Sequence, residues 1–264
     1  MRISILTLAL ALLALPAQAK TLCTALADAA TGKMLVQTGD CETRVTPAST
    51  FKIPLALMGY DSGFLKDEHA PLLPFREGYP DWMKSWRTDT DPALWMKNSV
   101  VWYSQQITQN LGAERFEKYV EALDYGNRDV SGDPGKDNGL ERSWIGSSLK
   151  ISPVEQVGFL RKLVRGELPV SPAAFNMTAR ITAQPPLPGG WKLHGKTGSA
   201  FPRKADGSQD RDRAYGWFVG WATRGGKTIV FARLIQTEKR QAIGSGLVAR
   251  DAFLKELPGM LPPS

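Results

Sequence analysis

Two residues that could share one chemical step lie three positions apart at the start of a long apolar segment. Ser49 and Lys52 belong to the sequence Pro-Ala-Ser-Thr-Phe-Lys at residues 47–52, and the apolar residues 53–58 follow directly. This pattern predicts a helix that is apolar on every side and therefore runs through a core. Residues three apart on a helix share a face, so we expect the two side chains to be neighbours.

A lysine inside such a segment has an unusual acid–base property. Desolvation disfavours the ammonium form, so burial lowers the pKa of the amine. A neutral Lys52 beside the hydroxyl of Ser49 would pair a base with a nucleophile, and Ser-x-x-Lys is a motif of serine enzymes. Four-residue motifs also recur by chance, and a lysine near a helix start often extends to water. The hypothesis therefore requires further residues.

The small numbers of histidines and cysteines limit the other kinds of catalytic or metal site that the chain could form. The chain contains only His69 and His194, which leaves few candidates for a Ser-His-acid triad and too few ligands for a zinc site. We expect no metal. Cys23 and Cys41 flank a hairpin predicted to turn at residues 31–32, and we favour a structural disulfide over two free thiols.

The first nineteen residues have the pattern of a secretory signal peptide. Arg2 precedes the apolar residues 3–15, and Ala-Gln-Ala ends the segment at Ala19. The apolar run is shorter than a membrane-spanning helix needs, so an anchor is the less favoured interpretation. We predict cleavage before Lys20, export to a bacterial periplasm and no membrane segment in the mature protein.

Length and charge narrow the class of protein further. The chain has 264 residues and a formal net charge of +7. Its basic residues are scattered among acidic ones, without the basic and aromatic groove that binds nucleic acid. We expect no nucleic-acid partner, although a positive field would favour an anionic substrate.

Helix and strand patterns divide the chain by position. Helices are predicted over residues 92–98, 100–111, 113–123, 153–165 and 246–257, the last one with Leu247, Phe253, Leu254 and Leu257 turned inward. Strands are predicted in the hairpin over residues 22–36 and in a meander over residues 191–194, 215–222 and 228–235.

These elements predict an α/β (α+β) fold. We expect an antiparallel sheet built from the N- and C-terminal segments and flanked by helices. A single domain over residues 20–264 would then have a mixed lobe from 20–48 and 186–264 and a helical lobe from about 49–185. The candidate site would lie in the cleft between these two lobes.

Two further motifs are weak alone. Ser99 in Ser-Val-Val lies where two helices meet and could point into a cleft, or it could simply cap the second helix. Lys196 in Lys-Thr-Gly lies on the first strand of the meander, where it could also be an edge-strand lysine. Trp144 follows a loop rich in glycine and could be a core residue.

Together, in this order, these motifs resemble the class D β-lactamases, the oxacillinases. The matching segments are Ser49–Lys52, Ser99–Val101, Tyr125–Asn127, Trp144, Lys196–Gly198 and Tyr215–Gly220. Val101 replaces the asparagine of the other serine β-lactamase classes. The resemblance implies a serine β-lactamase or penicillin-binding transpeptidase-like fold.

The resemblance also implies how the reaction proceeds. Ser49 would form an acyl-ester with a β-lactam substrate, and no cofactor would be needed except CO2 or bicarbonate to carboxylate Lys52. The carboxylated lysine would be the general base, held by the indole N–H of Trp144. Ser99 would relay a proton to the lactam nitrogen, aided by Lys196.

The remaining implied residues bind the substrate. Thr197 and Gly198 belong to the substrate-binding strand, and the backbone N–H groups of Ser49 and Ser199 would form the oxyanion hole. Many members of the family place a carboxylate-binding arginine where this chain has Gly246. Arg250 or Ser245 could replace it, or Lys196 and Thr197 could suffice.

The alternative function is a penicillin-binding sensor domain that acylates without hydrolysis. Such a domain normally accompanies a membrane-spanning region, and none is predicted for the mature chain. A transpeptidase or carboxypeptidase would more often have asparagine at position 101. The sequence leaves open the substrate spectrum and whether the protein is a monomer or a homodimer.

Overall fold

The computed structural model describes residues 19–262. The signal peptide predicted over residues 1–19 lies outside this range except for Ala19. Within the described range, no helix is both long enough and apolar enough to cross a membrane.

An antiparallel sheet organises the fold, as predicted, and it has six strands. Its spatial order is β2-β1-β6-β5-β4-β3, so the N-terminal hairpin pairs directly with the last strand. The bounds are β1 (Lys20–Asp28), β2 (Met34–Gly39), β3 (Ala183–Leu187), β4 (Trp191–Ala200), β5 (Tyr215–Arg224) and β6 (Lys227–Gln236).

Eight helices within residues 19–262 surround the sheet. They are α1 (Lys52–Asp61), α2 (Pro92–Asn98), α3 (Val101–Leu111), α4 (Ala113–Ala122), α5 (Gly139–Arg142), α6 (Pro153–Val164), α7 (Pro172–Ile181) and α8 (Ser245–Met260). Short 3-10 turns occur at Ala48–Phe51, Lys84–Trp86 and Pro188–Gly190.

The starts of α2 and α6 follow from local side-chain chemistry. The Asp91 carboxylate accepts the Leu94 N–H at 2.7 Å and thereby caps α2. At the start of α6, Ser152 and Glu155 form a reciprocal capping box. These caps fix where α2 and α6 begin, and both helices contribute to the site described below.

The predicted hairpin and its disulfide are present. In β1 and β2, Cys23 is opposite Gly39, two residues before Cys41. The two cysteines are bonded to each other, and both are buried. The disulfide thus closes the hairpin at the edge of the sheet.

The two faces of the sheet have different cores. Helix α8 covers one face through Phe253 and Leu257, which pack against Phe218 and Phe231. Leu254 is partly buried, but the prediction for Leu247 was wrong, because this side chain is 37% exposed. The opposite face packs on the larger core that contains α1 and α6.

Strand β3 has no counterpart among the predicted elements. It contains Pro185 and Pro186 and lies at the edge of the sheet. Proline cannot donate a backbone hydrogen bond, so it is tolerated mainly in edge strands. These prolines explain why the strand is inconspicuous in the sequence.

Candidate active site

Ser49 lies in a single 3-10 turn, Ala48–Phe51, that leads without interruption into α1. The sequence predicts a helix here, and the structure refines its first turn. Ser49 and Lys52 nevertheless face each other, with 3.5 Å between Oγ and Nζ. The turn therefore brings the two predicted groups together.

Lys52 is fully buried within the core, in the first turn of a helix with nine of its ten residues buried. Burial lowers the pKa of its amine well below the usual 10.5, and the nearby charge of Lys196 lowers it further. Within residues 19–262, no carboxylate forms an ion pair with it. Burial accordingly favours the neutral form of the Lys52 amine.

Trp144 is 1% exposed and borders the same core. Its ring stacks on Phe51 at a centroid distance of 5.7 Å and meets Phe116 edge-on at 6.3 Å. No group in residues 19–262 accepts a hydrogen bond from its indole N–H. Trp144 is thus a packing residue that also offers a donor beside the Lys52 segment.

Ser99 adopts a left-handed backbone conformation, with φ 59° and ψ 36°. It ends α2, whereas Val100 is the N-cap of α3, so the alternative interpretation of Ser99 as a helix N-cap was wrong. The indole N–H of Trp86 donates to the Asn98 carbonyl at 2.9 Å. This conformation costs about 1–3 kcal/mol and persists only where surrounding contacts hold it.

Lys196 lies on β4, between β3 and β5, and is 5% exposed. The alternative of an exposed edge-strand lysine is therefore wrong. Its Nζ donates to the Thr197 carbonyl oxygen at 3.0 Å and to Thr197 Oγ1 at 3.4 Å. Burial, with a smaller contribution from the charge of Arg250, lowers the pKa of Lys196 to about 7.

Gly198 allows β4 to approach the Ser49 turn closely. A Cβ atom at this position would lie 2.9 Å from the Pro47 carbonyl oxygen and 3.2 Å from the Thr50 nitrogen. Only glycine avoids this conflict with backbone atoms. The contact brings the backbone after Gly198, at Ser199, toward the turn that carries Ser49.

The start of α8 explains the departure from the family's arginine. A Cβ at Gly246 would lie 2.6 Å from the Gly198 oxygen, so α8 packs directly on β4. The Gly246 N–H donates to Ser199 Oγ at 2.8 Å, and Ser245 donates to the Tyr215 carbonyl at 2.6 Å. Arg250 forms an ion pair with Asp251. Both Ser245 and Arg250 are therefore engaged within the protein.

Sequence reasoning missed a buried amide beneath the Ser49 turn. Gln156 donates from Nε2 to Thr50 Oγ1 and to the Tyr125 hydroxyl, each at 3.0 Å. The available signal was a glutamine facing inward on the predicted helix that begins at Pro153. Tyr125 belongs to one of the segments that resemble the family, but the sequence alone indicates no role for it.

A second missed residue, Thr46, links Trp144 to the sheet. Its hydroxyl donates to the Trp144 carbonyl and accepts the Gly146 N–H, each at 3.0 Å. The Thr46 carbonyl accepts the indole N–H of Trp217 on β5 at 3.0 Å. Thr46 thereby fixes the segment that carries Trp144.

A third missed contact joins two loops near Trp144. Arg203 forms an ion pair with Asp133 at 2.8 Å and donates to the Gly146 carbonyl at 3.1 Å. It connects the polar insertion after β4 to the glycine-rich loop before Trp144. Neither partner could be identified from the sequence, because loop contacts of this kind follow no periodic pattern.

Comparisons with known proteins agree with this geometry. The family described as "Penicillin binding protein transpeptidase domain" matches residues 22–258. The chain is 48% identical to β-lactamase OXA-9 of Klebsiella pneumoniae, over 90% of this chain and 88% of the relative. It is 36% identical to β-lactamase OXA-1 of Escherichia coli, over 86% of this chain and 80% of that relative.

A solved structure leads to the same family. The OXA-427 class D β-lactamase superimposes with a TM-score of 0.84 at 49% identity, covering 90% of this chain and 99% of that chain. The fold, the order of the motifs and these identities agree with one another. The chain belongs to the class D β-lactamases.

Proposed function

We propose that this enzyme hydrolyses the amide bond of penicillin-type β-lactams through an acyl-ester on Ser49, with carboxylated Lys52 as general base, and thereby confers resistance. The observation that carries the proposal is the fully buried Lys52 amine, 3.5 Å from Ser49 Oγ. Among the described residues, this amine forms no ion pair with a carboxylate, so a purely structural ion pair does not explain its burial. Its position suits a base for Ser49.

In the acylation step, Ser49 Oγ attacks the lactam carbonyl carbon, and the carbon–nitrogen bond of the ring breaks. The ring nitrogen receives a proton through Ser99, and Lys196 lowers the cost of that transfer. The backbone N–H groups of Ser49 and Ser199 stabilise the oxyanion. Loss of one such donor typically costs about a hundredfold or more in rate.

The residues around Lys52 suit a carbamate. CO2 reacts with a neutral amine, and burial favours that form of Lys52. When present, the carbamate supplies an anionic base for the proton of Ser49 and later for that of the hydrolytic water. The indole N–H of Trp144 is the donor proposed to hold this anion, since a buried charge requires a hydrogen-bond partner.

The substrate carboxylate is assigned to Lys196 and Thr197. Their side chains are 3.4 Å apart, from Nζ to Oγ1, so both can reach one anionic group. Ser245 and Arg250 are engaged elsewhere in the protein, which favours this option among those that the sequence left open. Gly198 supports the site by letting β4 approach the nucleophile.

The cellular setting is part of the same proposal. A disulfide between Cys23 and Cys41 suits an oxidising compartment such as the periplasm. Export by the predicted signal peptide would place the enzyme there, where β-lactams arrive. A monomer or homodimer remains the expected state.

The test is steady-state hydrolysis of a penicillin and a chromogenic cephalosporin by the mature protein and by its Ser49→Ala variant, with and without bicarbonate. We expect sustained turnover that bicarbonate increases most at acidic pH, and no turnover by the variant. A single stoichiometric burst would instead indicate the sensor function. Turnover by Ser49→Ala would contradict the acyl-enzyme.

A further inference from the structure

The amide of Gln156 lies behind the nucleophile and takes no part in the proposed chemistry. It contacts the hydroxyl groups of Thr50 and Tyr125, and these three residues are at most 1% exposed. We propose that Gln156 is a positioning residue that holds the Ser49 turn in its reactive geometry through Thr50. This inference rests on the proposed role of Ser49 as the nucleophile.

The Ser49 turn needs support from outside itself. It is a single 3-10 turn, and it begins at Ala48 with φ 50°, in the left-handed region. For a residue with a Cβ atom, this conformation costs about 1–2 kcal/mol. A turn so short and strained keeps its shape only if neighbouring groups hold it.

Thr50 closes the turn with two hydrogen bonds to one acceptor. Its backbone N–H donates to the Pro47 carbonyl at 3.2 Å, and its hydroxyl donates to the same oxygen at 2.7 Å. A hydroxyl carries a single hydrogen. Because Gln156 donates to Thr50 Oγ1, the hydroxyl hydrogen of Thr50 is directed to Pro47.

Rigid elements hold Gln156 itself. It lies on α6, which begins with the Ser152 capping box and packs against β1 and β6. Its amide also donates to the Tyr125 hydroxyl, and the Tyr125 ring packs against Phe51 at a centroid distance of 5.2 Å. The amide therefore has two fixed acceptors, one of them in the nucleophile turn.

The bond between Gln156 and Thr50 also affects the proposed oxyanion hole, because Thr50 holds the Pro47 carbonyl. The Pro47 carbonyl that Thr50 holds is also the atom on which Gly198 of β4 packs. A shift of this carbonyl would change the distance between Ser49 and Ser199, which supply the two proposed N–H donors. Displacements of about 1 Å at a reacting group can cost around a hundredfold in rate.

The experiment measures the acylation rate constant and the affinity of the noncovalent complex in single-turnover reactions with a penicillin. The variants are Gln156→Leu, Thr50→Val, their combination, and Thr50→Ser, which keeps the hydroxyl. Thr108→Val is the matched control, because it removes a fully buried hydroxyl whose acceptors are the backbone carbonyls of Gln105 and Leu140, outside the Ser49 turn. Thermal unfolding of each variant separates stability from rate.

We expect Gln156→Leu and Thr50→Val each to slow acylation about tenfold or more, with noncovalent affinity changed less than about twofold. The double variant should be slowed by less than the product of the two single effects, since both substitutions remove the same Gln156–Thr50 hydrogen bond. Thr50→Ser should retain the wild-type rate, and Thr108→Val should lose stability only.

The proposal is overturned if the two single effects multiply, or if Thr50→Val acylates as fast as Thr108→Val. Should Gln156→Leu fail to fold, the acylation rates of Thr50→Val and Thr50→Ser are compared, because only Thr50→Ser keeps the hydroxyl that Gln156 contacts. Mass spectrometry of the wild type distinguishes a failure of the proposed function from a failure of the proposed role of Gln156. No penicillin adduct on Ser49 would refute the proposed function, whereas a wild-type adduct with unaffected variants would refute only the role of Gln156.

Discussion

The two buried lysines of the site differ in what surrounds the amine. Lys52, on the helical side, has Ser49 Oγ at 3.5 Å as its hydrogen-bond partner in residues 19–262. Lys196, on the sheet side, donates to the Thr197 carbonyl at 3.0 Å and lies near its hydroxyl. Burial is the main cause of the lowered pKa at both amines, and it lowers the pKa of Lys196 to about 7. The two amines therefore share the cause of their pKa shift and differ in their hydrogen-bond partners.

This difference suits two tasks. A neutral Lys52 can react with CO2, whereas Lys196 near pH 7 is divided between its charged and neutral forms. The charged form attracts a carboxylate, and the neutral form can take part in proton transfer. The candidate active site thereby holds two buried lysines with different hydrogen-bond partners.

The largest expected effect comes from removing the amine of Lys52. Lys52→Met should lower turnover about a thousandfold or more, since general bases contribute about 10²–10⁴. Its melting temperature should equal or exceed that of the wild type, because no desolvated amine remains. Steady-state kinetics and thermal unfolding measure the two outcomes. Comparable hydrolysis by the variant would refute the role of Lys52.

The next effect concerns Trp144, whose ring stacks on Phe51, the residue before Lys52. Trp144→Phe keeps an aromatic ring against Phe51 but removes the indole N–H. We expect deacylation to slow by about ten- to a hundredfold, in the range typical for a group that orients a reactive ligand. Mass spectrometry after addition of penicillin should detect acylated Ser49. Normal turnover without an adduct would leave Trp144 as a packing residue only.

A smaller effect is expected for Lys196→Met. The loss of the cation should raise KM for a penicillin about tenfold, as expected for a charged hydrogen bond worth roughly 1.5–3 kcal/mol. In the wild type, KM should rise as pH increases through about 7, where Lys196 loses its proton. A KM that is independent of pH in the wild type would contradict this assignment.

The pH dependence of protein stability tests the lowered pKa of Lys196 independently of activity. The folded pKa of Lys196 lies below the usual 10.5, so the unfolded chain binds more protons between about pH 7 and 10.5. The free energy of unfolding therefore gains from this group as pH rises through that window. Lys196→Met should be more stable relative to the wild type at pH 7 than at pH 10, as denaturant titrations can measure. An equal difference at both pH values would argue against the lowered pKa.

The smallest effect should come from Arg250→Gln. Arg250 contributes to the lowered pKa of Lys196, but its side chain is 32% exposed and paired with Asp251. Solvent screens such a charge. We expect KM at pH 7 to change less than about threefold, because exposed charges contribute little. A tenfold increase in KM would instead make Arg250 the carboxylate-binding residue.

The sequence predicted the hairpin, the meander and the pairing of Ser49 with Lys52, because hydrophobic period and helix spacing are local properties. Caps at Asp91 and Ser152 were predictable for the same reason. Gly246 also stood out, since its position departs from the family's pattern. The physical cause of this glycine, the direct packing of α8 on Gly198, is visible only in the three-dimensional structure.

The remaining features depend on contacts between distant segments. The bond between Gln156 and Thr50 joins residues 106 positions apart, and Thr46 contacts Trp144 across 98 positions. No local pattern encodes such pairs. The left-handed Ser99 was likewise inaccessible, because its sequence suits a helix N-cap equally well. Tertiary packing stabilises the left-handed conformation, in which Ser99 ends α2.

The most direct test of the central claim is 13C NMR of the protein equilibrated with 13C-labelled bicarbonate. The wild type should show a carbamate carbon that disappears in Lys52→Met and on acidification. Lys196→Met should retain it, since burial remains the main cause of the low pKa of Lys52. A carbamate signal that persists in Lys52→Met, or none in the wild type, would contradict the assignment of Lys52 as the carboxylated base.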